Sequence, residues 1–321
     1  MNYFLISQTG DAYYNLALDE YLLNTLSEDD KILYLYVNEK AVIIGRNQNP
    51  WIECNLNQLN ADGVQLVRRI SGGGAVYHDS GNLNFSFICG EKNYDEAHQT
   101  WMILKALNEF GIEAETTGRN DIAVNGRKIS GNAYCRRGKM YQRHGTLLIS
   151  SDMSVFDRYL VVPKTKLVAK GVKSVRSRIM NLSEMNSEIS VESLSKMLEK
   201  VYGENVGEVE KYILSEDAES EVRKIREKAE SWQWRMGEAP AFDCVIENRF
   251  SFGTAQICLK VKNGLICECE IFTDSLDTAL PERIRPLFLK LRFDKDEIHK
   301  KLSESEGEAK EIAEYILSSF E

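Results

Sequence analysis

Long apolar runs, proline and secretion signals are scarce or missing in this chain of 321 residues. Only five prolines occur beside 43% hydrophobic and 28% charged residues, a composition typical of a globular protein and unlike a disordered one. No stretch approaches the roughly 18 apolar residues of a membrane span, and the N-terminal segment has no basic region followed by an apolar run. We therefore expect a cytoplasmic protein with no membrane partner.

Paired cysteine motifs are also missing. The seven cysteines are odd in number and include no CxxC spacing. Reduced thiols in a cytosol fit this pattern best, and the pattern does not predict a disulfide framework.

Positive charge is in deficit, with 40 Lys and Arg against 49 Asp and Glu and a formal net charge of −9. Binding of nucleic acid depends chiefly on clustered cations that neutralise phosphates. We expect no nucleic-acid partner, and any cationic docking surface on this chain must be local.

The length favours two domains, at about 150 residues per domain. Asp11 is a candidate helix cap, because apolar residues recur every four positions after it. The β-rich runs 32–37 and 41–44 predict a hairpin with residues 38–40 as its turn. Since the strands are joined by tight turns and the helices come in blocks, we predict an α+β fold. Its sheet should be mostly antiparallel and not doubly wound.

A helical region rich in Glu, Lys, Ser and Leu closes the first domain. We assign residues 1–245 to this domain and residues 246–321 to a small α+β second domain. The second domain contains two β-like runs, 255–261 and 265–272, and then a helical stretch from about 296 to 320.

The first cluster with chemical potential is the glycine-rich segment 68–79, RRISGGGAVYHD. Two cations precede three glycines, which let the backbone approach a ligand closely. Successive backbone N–H groups in such a turn can bind an anion, and Arg69 would add charge-assisted hydrogen bonds to phosphate oxygens. The segment suits phosphate or carboxylate, although a Ser-Gly-Gly-Gly run alone is more often a mobile loop.

The second cluster is the segment 118–131, GRNDIAVNGRKISG, which centres on Asn-Gly, the strongest short-range hairpin signal. A two-residue loop would place Lys128 opposite Ala123 and Ser130 opposite Asp121. Asp121, Lys128 and Ser130 would then share one polar face. A lysine on that face would neutralise charge when a carboxylate and a phosphate meet, whereas the alternative is an ordinary surface lysine.

Two further clusters are weaker on their own. Residues 144–148, HGTLL, lead into a β-pattern, and residues 170–178, KGVKSVRSR, carry four cations in nine residues. A lone histidine is more often structural than catalytic, and a run of Lys and Arg is usually a solvated face. Neither cluster identifies a function alone.

Four segments in this order carry a family resemblance: RRISGGGAVYHDSGNLNFSF, GRNDIAVNGRKISGNAY, HGTLLISSDM and KGVKSVRSRIMNLSE. They resemble the signature segments of lipoate-protein ligases. The likeness extends from GRNQNPWIEC at Gly45 through Phe242 to Leu276, nearly the whole chain. It implies a mixed α+β catalytic domain of the biotin/lipoate ligase type, followed by a small accessory domain that moves between two half-reactions.

The resemblance also implies site residues. Lys128 should be catalytic and should contact both the nucleotide and lipoate. The residues expected to contact ATP are Arg69, Gly74, Ala75, Val76, Tyr77 and Lys128. Besides Lys128, the residues expected to contact lipoate are Ser71, Gly73, His78 and His144. Asp121 is expected to help hold Mg²⁺ through phosphate oxygens.

The implied reaction is the activation of lipoate with MgATP to lipoyl-AMP, followed by transfer to a lysine of an apo carrier domain. The carrier is the H protein of glycine cleavage or an acyltransferase subunit of a 2-oxoacid dehydrogenase. We expect a monomer. An apolar pocket discriminates poorly between acyl chains, so octanoate could also be accepted.

Three alternatives remain at this point. An octanoyl or lipoyl transferase of the same fold would use a cysteine thioester and no ATP, with Cys89 or Cys135 as the candidate, although each is more simply a small buried thiol. A biotin ligase is disfavoured because the Gly-Arg-Gly-Arg loop of that family is absent. A non-catalytic lipoate-binding protein is the alternative of another class.

Overall fold

The computed structural model of the chain describes residues 1–117, 121–161, 179–273, 275, 277 and 279–319. The chain divides into two units. The first comprises residues 1–46, 52–54 and 58–230, and the second comprises residues 47–51, 55–57 and 231–321.

The strands of the first unit form two sheets. Their bounds are β1 Asn2–Ile6, β2 Lys31–Val37, β3 Ala41–Ile44, β4 Gln65–Arg68, β5 Val76–His78, β6 Asn82–Gly90, β7 Glu115–Thr117, β8 Asp121–Val124, β9 Arg127–Arg137, β10 Met140–Leu148 and β11 Glu210–Lys211. The main sheet has the order β11-β1-β2-β6-β10-β9-β8-β7, and the small sheet has the order β4-β3-β5. In the main sheet, β1 pairs in parallel with β2 and with β11, and the other pairs of named strands in the described residues are antiparallel. The predicted α+β fold with a mostly antiparallel sheet is confirmed.

The helices that precede residue 231 are α1 Ala12–Thr25, α2 Pro50–Glu53, α3 Leu56–Ala61, α4 Glu96–Asn108, α5 Phe156–Tyr159, α6 Val191–Val206 and α7 Glu216–Glu230. Helices α1, α4 and α6 cover the two faces of the main sheet. The Asp11 side chain accepts a hydrogen bond from Tyr13 N and caps α1, as predicted. Leu18 and Leu22 of α1 pack on one face of the sheet with Tyr34. On the other face α4 and α6 pack against β6 in a separate core.

The predicted hairpin of β2 and β3 is wrong. β2 lies in the main sheet between β1 and β6, whereas β3 lies in the small sheet. The cause is visible at Asn38, which is fully buried. Its Oδ1 accepts a hydrogen bond from Asn15 Nδ2 at 2.9 Å, and its Nδ2 lies 3.0 Å from His78 Nδ1. Residues 38–40 therefore link two sheets and do not form an exposed turn.

The second unit has its own core. Three antiparallel strands, β12 Phe242–Phe250, β13 Gly253–Lys262 and β14 Leu265–Thr273, form a sheet in that order. Three helices complete the core: α8 Leu280–Phe288, α9 Lys295–Ser303 and α10 Glu308–Ser319. The predicted β runs 255–261 and 265–272 are the strands β13 and β14. Asn263 and Gly264 between them have φ of 52° and 71°.

The division between the units differs from the predicted boundary after residue 245. That position falls inside β12, which pairs with β13 from Phe242 to Phe250. A strand paired along its whole length belongs to one core, so the observed division lies earlier, between Glu230 and Ser231.

Candidate active site

A cavity of about 190 Å³ lies in the first unit, beside the glycine-rich segment and strands β9 and β10. Eight of the eleven predicted site residues line it: Arg69, Gly73, Gly74, Ala75, Val76, His78, Lys128 and His144. Ser71, Tyr77 and Asp121 do not line it. The lining also contains residues that the sequence did not single out, among them Leu16, Tyr36, Ile43, Asn84 and Gly131.

Arg69 is a buried cation held by the glycine-rich loop. Its guanidinium donates to the carbonyl oxygens of Gly72 at 2.6 and 3.0 Å, Gly74 at 2.8 Å and Ile43 at 3.2 Å. Burial lowers the pKa of Arg69 to about 10, so the side chain stays protonated at neutral pH. Among the residues that the structure describes, no carboxylate forms an ion pair with it. The wall of the cavity therefore carries a positive charge next to the loop.

Two glycines make this close packing possible. Gly73 has φ of +99°, and a Cβ there would lie 2.6 Å from Arg69 Nη2. A Cβ at Gly45 would overlap the carbonyl oxygen of Gly73. Gly72 and Gly74, in contrast, have open space around the position of a Cβ. Gly73 is thus the glycine of this loop at which an added side chain would clash.

The β8–β9 hairpin turns at Asn125 and Gly126, which have φ of 52° and 73° as a type I′ turn requires. The first pairs agree with the predicted register, with Lys128 opposite Ala123. The register then shifts by one residue, which leaves Ile129 as an extra residue in β9.

The shift changes which residues share the polar face. Asp121 pairs with Gly131 and not with Ser130. Ser130 pairs with Ile122 and is fully buried, so its predicted place on the polar face is wrong. The bulge puts a glycine where a Cβ would lie 2.8 Å from Lys128 Nζ. Gly131 therefore leaves room for the ammonium group.

Lys128 and Asp121 form an ion pair at the edge of the cavity. Lys128 Nζ lies 2.7 Å from Asp121 Oδ1, and the two side chains are 39% and 34% exposed. An exposed pair of this kind adds little to stability. Lys128 lines the cavity together with residues of the glycine-rich loop.

His144 uses both ring nitrogens inside the protein. Nδ1 lies 3.1 Å from Asp19 Oδ2, and Nε2 lies 2.6 Å from Ser71 Oγ. Ser71 thus lies behind the histidine and not in the wall of the cavity. Asp19 was missed by sequence reasoning, because an acidic residue in a helix gives no signal that it is buried.

His78 is neutral. The Nδ2–H of Asn38 donates to Nδ1, so the proton of the ring is on Nε2. Burial, followed by the charge of Arg69 and the proximity of the His144 ring, lowers the pKa of His78 to about 3. Within the described part of the chain Nε2 has no hydrogen-bond partner. The cavity wall therefore contains an uncharged, partly unsatisfied imidazole.

Tyr77 points away from the cavity. Its ring packs on Phe156 and Tyr159 at centroid distances of 5.8 and 5.3 Å. Only its backbone is near the residues that line the cavity, because neighbouring residues of a strand face opposite sides.

Two predicted clusters lie wholly or partly outside the described residues. These are residues 170–178 and the start of the second cluster, residues 118–120. In the described part of the chain no group of three or more His, Cys, Asp or Glu side chains could hold a metal ion. None of the described helices is both long and apolar enough to cross a membrane.

The fold and the cavity define an α+β protein whose first unit has a small-molecule site with a cationic, glycine-rich wall. Two family models match the chain and identify its family. The lipoyl protein ligase A/B catalytic domain matches residues 11–203, and the bacterial lipoate protein ligase C-terminus matches residues 239–317. The chain belongs to the lipoate-protein ligase family.

Proteins of similar sequence support this family assignment. The lipoate-protein ligase A of Psychrobacter cryohalolentis is 37% identical over 97% of this chain and 95% of its own length. Plasmodium falciparum LipL1, solved in complex with lipoate, is 32% identical with a TM-score of 0.65, over 99% of this chain and 100% of that one.

Two further solved structures match the larger part of the chain. A lipoate-protein ligase A bound with ATP is 27% identical with a TM-score of 0.65 and covers 74% of this chain and 99% of that one. The bi-partite lipoate protein ligase of Thermoplasma acidophilum, studied with its E2 lipoyl domain, is 28% identical with a TM-score of 0.67. It covers 74% of this chain and 96% of that one.

Proposed function

We propose that this chain activates lipoate with ATP to lipoyl-AMP and then transfers the lipoyl group to a lysine of an apo carrier domain. The proposal rests on one observation: the buried cation Arg69 and the more exposed cation Lys128 line the same cavity. Two cations beside a glycine-rich loop suit a ligand that brings a carboxylate and phosphates together. The structures with ATP and with lipoate are of related proteins and support this proposal.

In the first half-reaction, a carboxylate oxygen of lipoate attacks the α-phosphorus of ATP. The bond from that phosphorus to the bridging oxygen breaks, and pyrophosphate leaves. Lys128 reduces the repulsion between the two anionic reactants and stabilises the negative charge that builds up on the phosphate. Arg69 and the backbone of Gly74–Tyr77 position the nucleotide, so the contribution of the chain is orientation and electrostatics.

In the second half-reaction, the amine of the acceptor lysine attacks the carbonyl carbon of the adenylate. An amide bond forms, AMP leaves, and the proton of the amine passes to solvent. No covalent bond to the protein is required.

The acyl chain of lipoate fits the uncharged part of the lining. Leu16, Tyr36 and Ile43 supply apolar surface, and His144 presents a ring whose two nitrogens already have partners. His78 adds the Nε2–H that has no partner among the described residues. A wall of this kind accepts an aliphatic chain and restricts charged substituents.

A divalent ion fits the site through the nucleotide. Mg²⁺ is usually held by one or two carboxylates together with substrate phosphates and water. Asp121 is the carboxylate beside Lys128 that would take this place, and the ion would supply charge neutralisation on the phosphates.

The proposed acceptor is the H protein or an acyltransferase subunit of a 2-oxoacid dehydrogenase. The Thermoplasma ligase was studied with an E2 lipoyl domain, and this supports the second choice. We assign the catalytic role to the first domain and an accessory role to the second, and we propose that a monomer acts.

The rival transferase requires a reactive cysteine. Cys89 is buried, which raises the pKa of its thiol to about 11, and burial also raises the pKa of Cys135. A raised pKa leaves little thiolate at neutral pH. Neither residue lines the cavity, so the geometry favours the adenylate route.

The test combines two readouts with the purified full chain and MgATP. We expect pyrophosphate release that depends on lipoate, and a lipoyl mass gain on an added apo carrier domain. Acyl transfer from a pre-acylated carrier without consumption of ATP would replace this proposal with the cysteine transferase.

A further inference from the structure

We propose that Asp19 is a positioning residue that holds the start of the glycine-rich loop through a buried chain of hydrogen bonds, Asp19–His144–Ser71. The proposed function gives Asp19 no role. The inference rests on that function only in one respect, because it takes the ligand of the loop to be the nucleotide.

The three residues come from three separate elements. Asp19 lies in α1, His144 in β10 and Ser71 in the loop after β4. The distances are 3.1 Å from Asp19 Oδ2 to His144 Nδ1 and 2.6 Å from Ser71 Oγ to His144 Nε2. Asp19 and Ser71 are each 2% exposed and His144 is 7% exposed. The chain of hydrogen bonds therefore joins the helix, the main sheet and the loop inside the protein.

The chemistry of the groups fixes the direction of each hydrogen bond. A carboxylate only accepts, so the ring proton of His144 that donates to Asp19 is on Nδ1. Nε2 is then an acceptor, and the Ser71 hydroxyl donates to it. Ser71 consequently cannot donate the same proton to a ligand, and the orientation of its side chain is set by Asp19.

An aspartate is energetically unfavourable at the core position of Asp19. Its second oxygen, Oδ1, is buried and has no hydrogen-bond partner in the described part of the chain. A buried carboxylate with an unsatisfied oxygen destabilises the fold compared with an apolar side chain of similar size. The hydrogen bond to His144 explains the presence of an aspartate at this position better than packing does.

Holding Ser71 matters because glycines follow it. The Ser71 carbonyl oxygen accepts a hydrogen bond from Arg46 N at 2.8 Å, so both its hydroxyl and its carbonyl are fixed. Gly72, Gly73 and Gly74 would otherwise carry the large conformational freedom of an unrestrained glycine run. A fixed Ser71 lowers the entropy that the loop loses when it binds a nucleotide.

The same three residue types form the catalytic group of serine hydrolases. Here the Ser71 hydroxyl is covered and does not line the cavity, so it cannot attack a ligand in it. The geometry assigns a positioning role to the three hydrogen-bonded residues and excludes a nucleophilic role for Ser71 in this conformation.

The first test is a double-mutant cycle on MgATP affinity, measured by calorimetry with the full chain. Asp19→Ala and Ser71→Ala should each weaken binding about tenfold, which corresponds to the loss of one hydrogen bond to a charged or polarised partner. The double variant should bind MgATP no more weakly than the worse single variant, because both changes break the same series of hydrogen bonds. Ser195→Ala is the matched control, a buried serine whose hydroxyl donates to Val191 O in α6, and should bind MgATP normally.

Additive losses in the double variant, or normal affinity in Asp19→Ala, would overturn the inference. A wild-type chain that binds no MgATP would instead refute the proposed function. If either variant fails to fold, the ring nitrogens of His144 in the wild-type chain decide the matter by nuclear magnetic resonance. The Nδ1–H tautomer supports the chain of hydrogen bonds, and the Nε2–H tautomer contradicts it whether or not MgATP binds.

Discussion

Lys128 Nζ lies 2.7 Å from Asp121 Oδ1, although the strands pair Lys128 with Ala123 and Asp121 with Gly131. The contact is possible because the extra residue in β9 brings a glycine opposite Asp121, and no side chain separates the two charged groups. Without the ligand, the ammonium is neutralised by its neighbour. Under the proposed function, we expect the anionic reactants to compete with Asp121 for this ammonium group.

Replacement of Lys128 by Met should reduce the rate of lipoyl-AMP formation by about 100- to 1000-fold, because the charge on the phosphate loses its main stabilising group. The measurement is pyrophosphate release under saturating MgATP and lipoate. The control is Arg127→Ala, which removes an exposed ion pair with Glu184 next to Lys128 and should retain activity. Normal adenylation by Lys128→Met would show that the role of this lysine is wrong.

Gly73→Ala should damage the site, whereas Gly72→Ala should not. An alanine at position 73 needs φ of +99° and places its methyl group against Arg69, so Arg69 or the loop must shift. We expect a loss of stability of about 1–3 kcal/mol and a marked rise in the KM for ATP. At position 72 the methyl group meets nothing. Chemical denaturation and kinetics of both variants test this, and equal behaviour would refute the described loop.

His78 should make the stability depend on pH. Its pKa in the folded chain is about 3, below the ordinary value of 6.5, so the unfolded chain binds more protons between these values. The stabilisation is therefore complete above pH 6.5 and is lost as pH falls toward 3, at about 1.4 kcal/mol per pH unit. Between pH 6.5 and pH 5 the free energy of unfolding should fall by about 2 kcal/mol more in the wild type than in His78→Gln. Parallel urea curves at both pH values would contradict a buried neutral His78.

Cys135→Ser should leave ligase activity unchanged. The raised pKa of this thiol opposes a role as a nucleophile, and the adenylate route needs none. The measurement is the rate of lipoyl transfer to a carrier, with Cys89→Ser as a second variant. Loss of transfer in either variant, together with an acyl thioester on the wild-type chain, would favour the transferase.

Local signals predicted the local parts of this structure. The Asp11 cap of α1 and the β runs 255–261 and 265–272 depend on residues close in sequence, and these predictions are confirmed. The link between β2 and β3 was misinterpreted, because strand partners far along the chain decide which sheet each strand joins. Turn residues alone do not specify such partners.

The candidate site was predicted to a similar extent. The glycine-rich segment and Lys128 meet at one cavity, as their chemistry suggested. The bulge at Ile129 has no signal in the residue pattern, so Ser130 was placed on the wrong face. Asp19 could not be found from the sequence, because its proposed role depends on a histidine 125 residues further along the chain.

The most direct test of the central claim is mass spectrometry of the small molecules bound to the purified chain after incubation with MgATP and lipoate, without a carrier. The account predicts bound lipoyl-AMP that forms only when both reactants are present and disappears when an apo carrier domain is added. A lipoylated carrier produced without any adenylate, or a covalent acyl adduct on the chain itself, would contradict it.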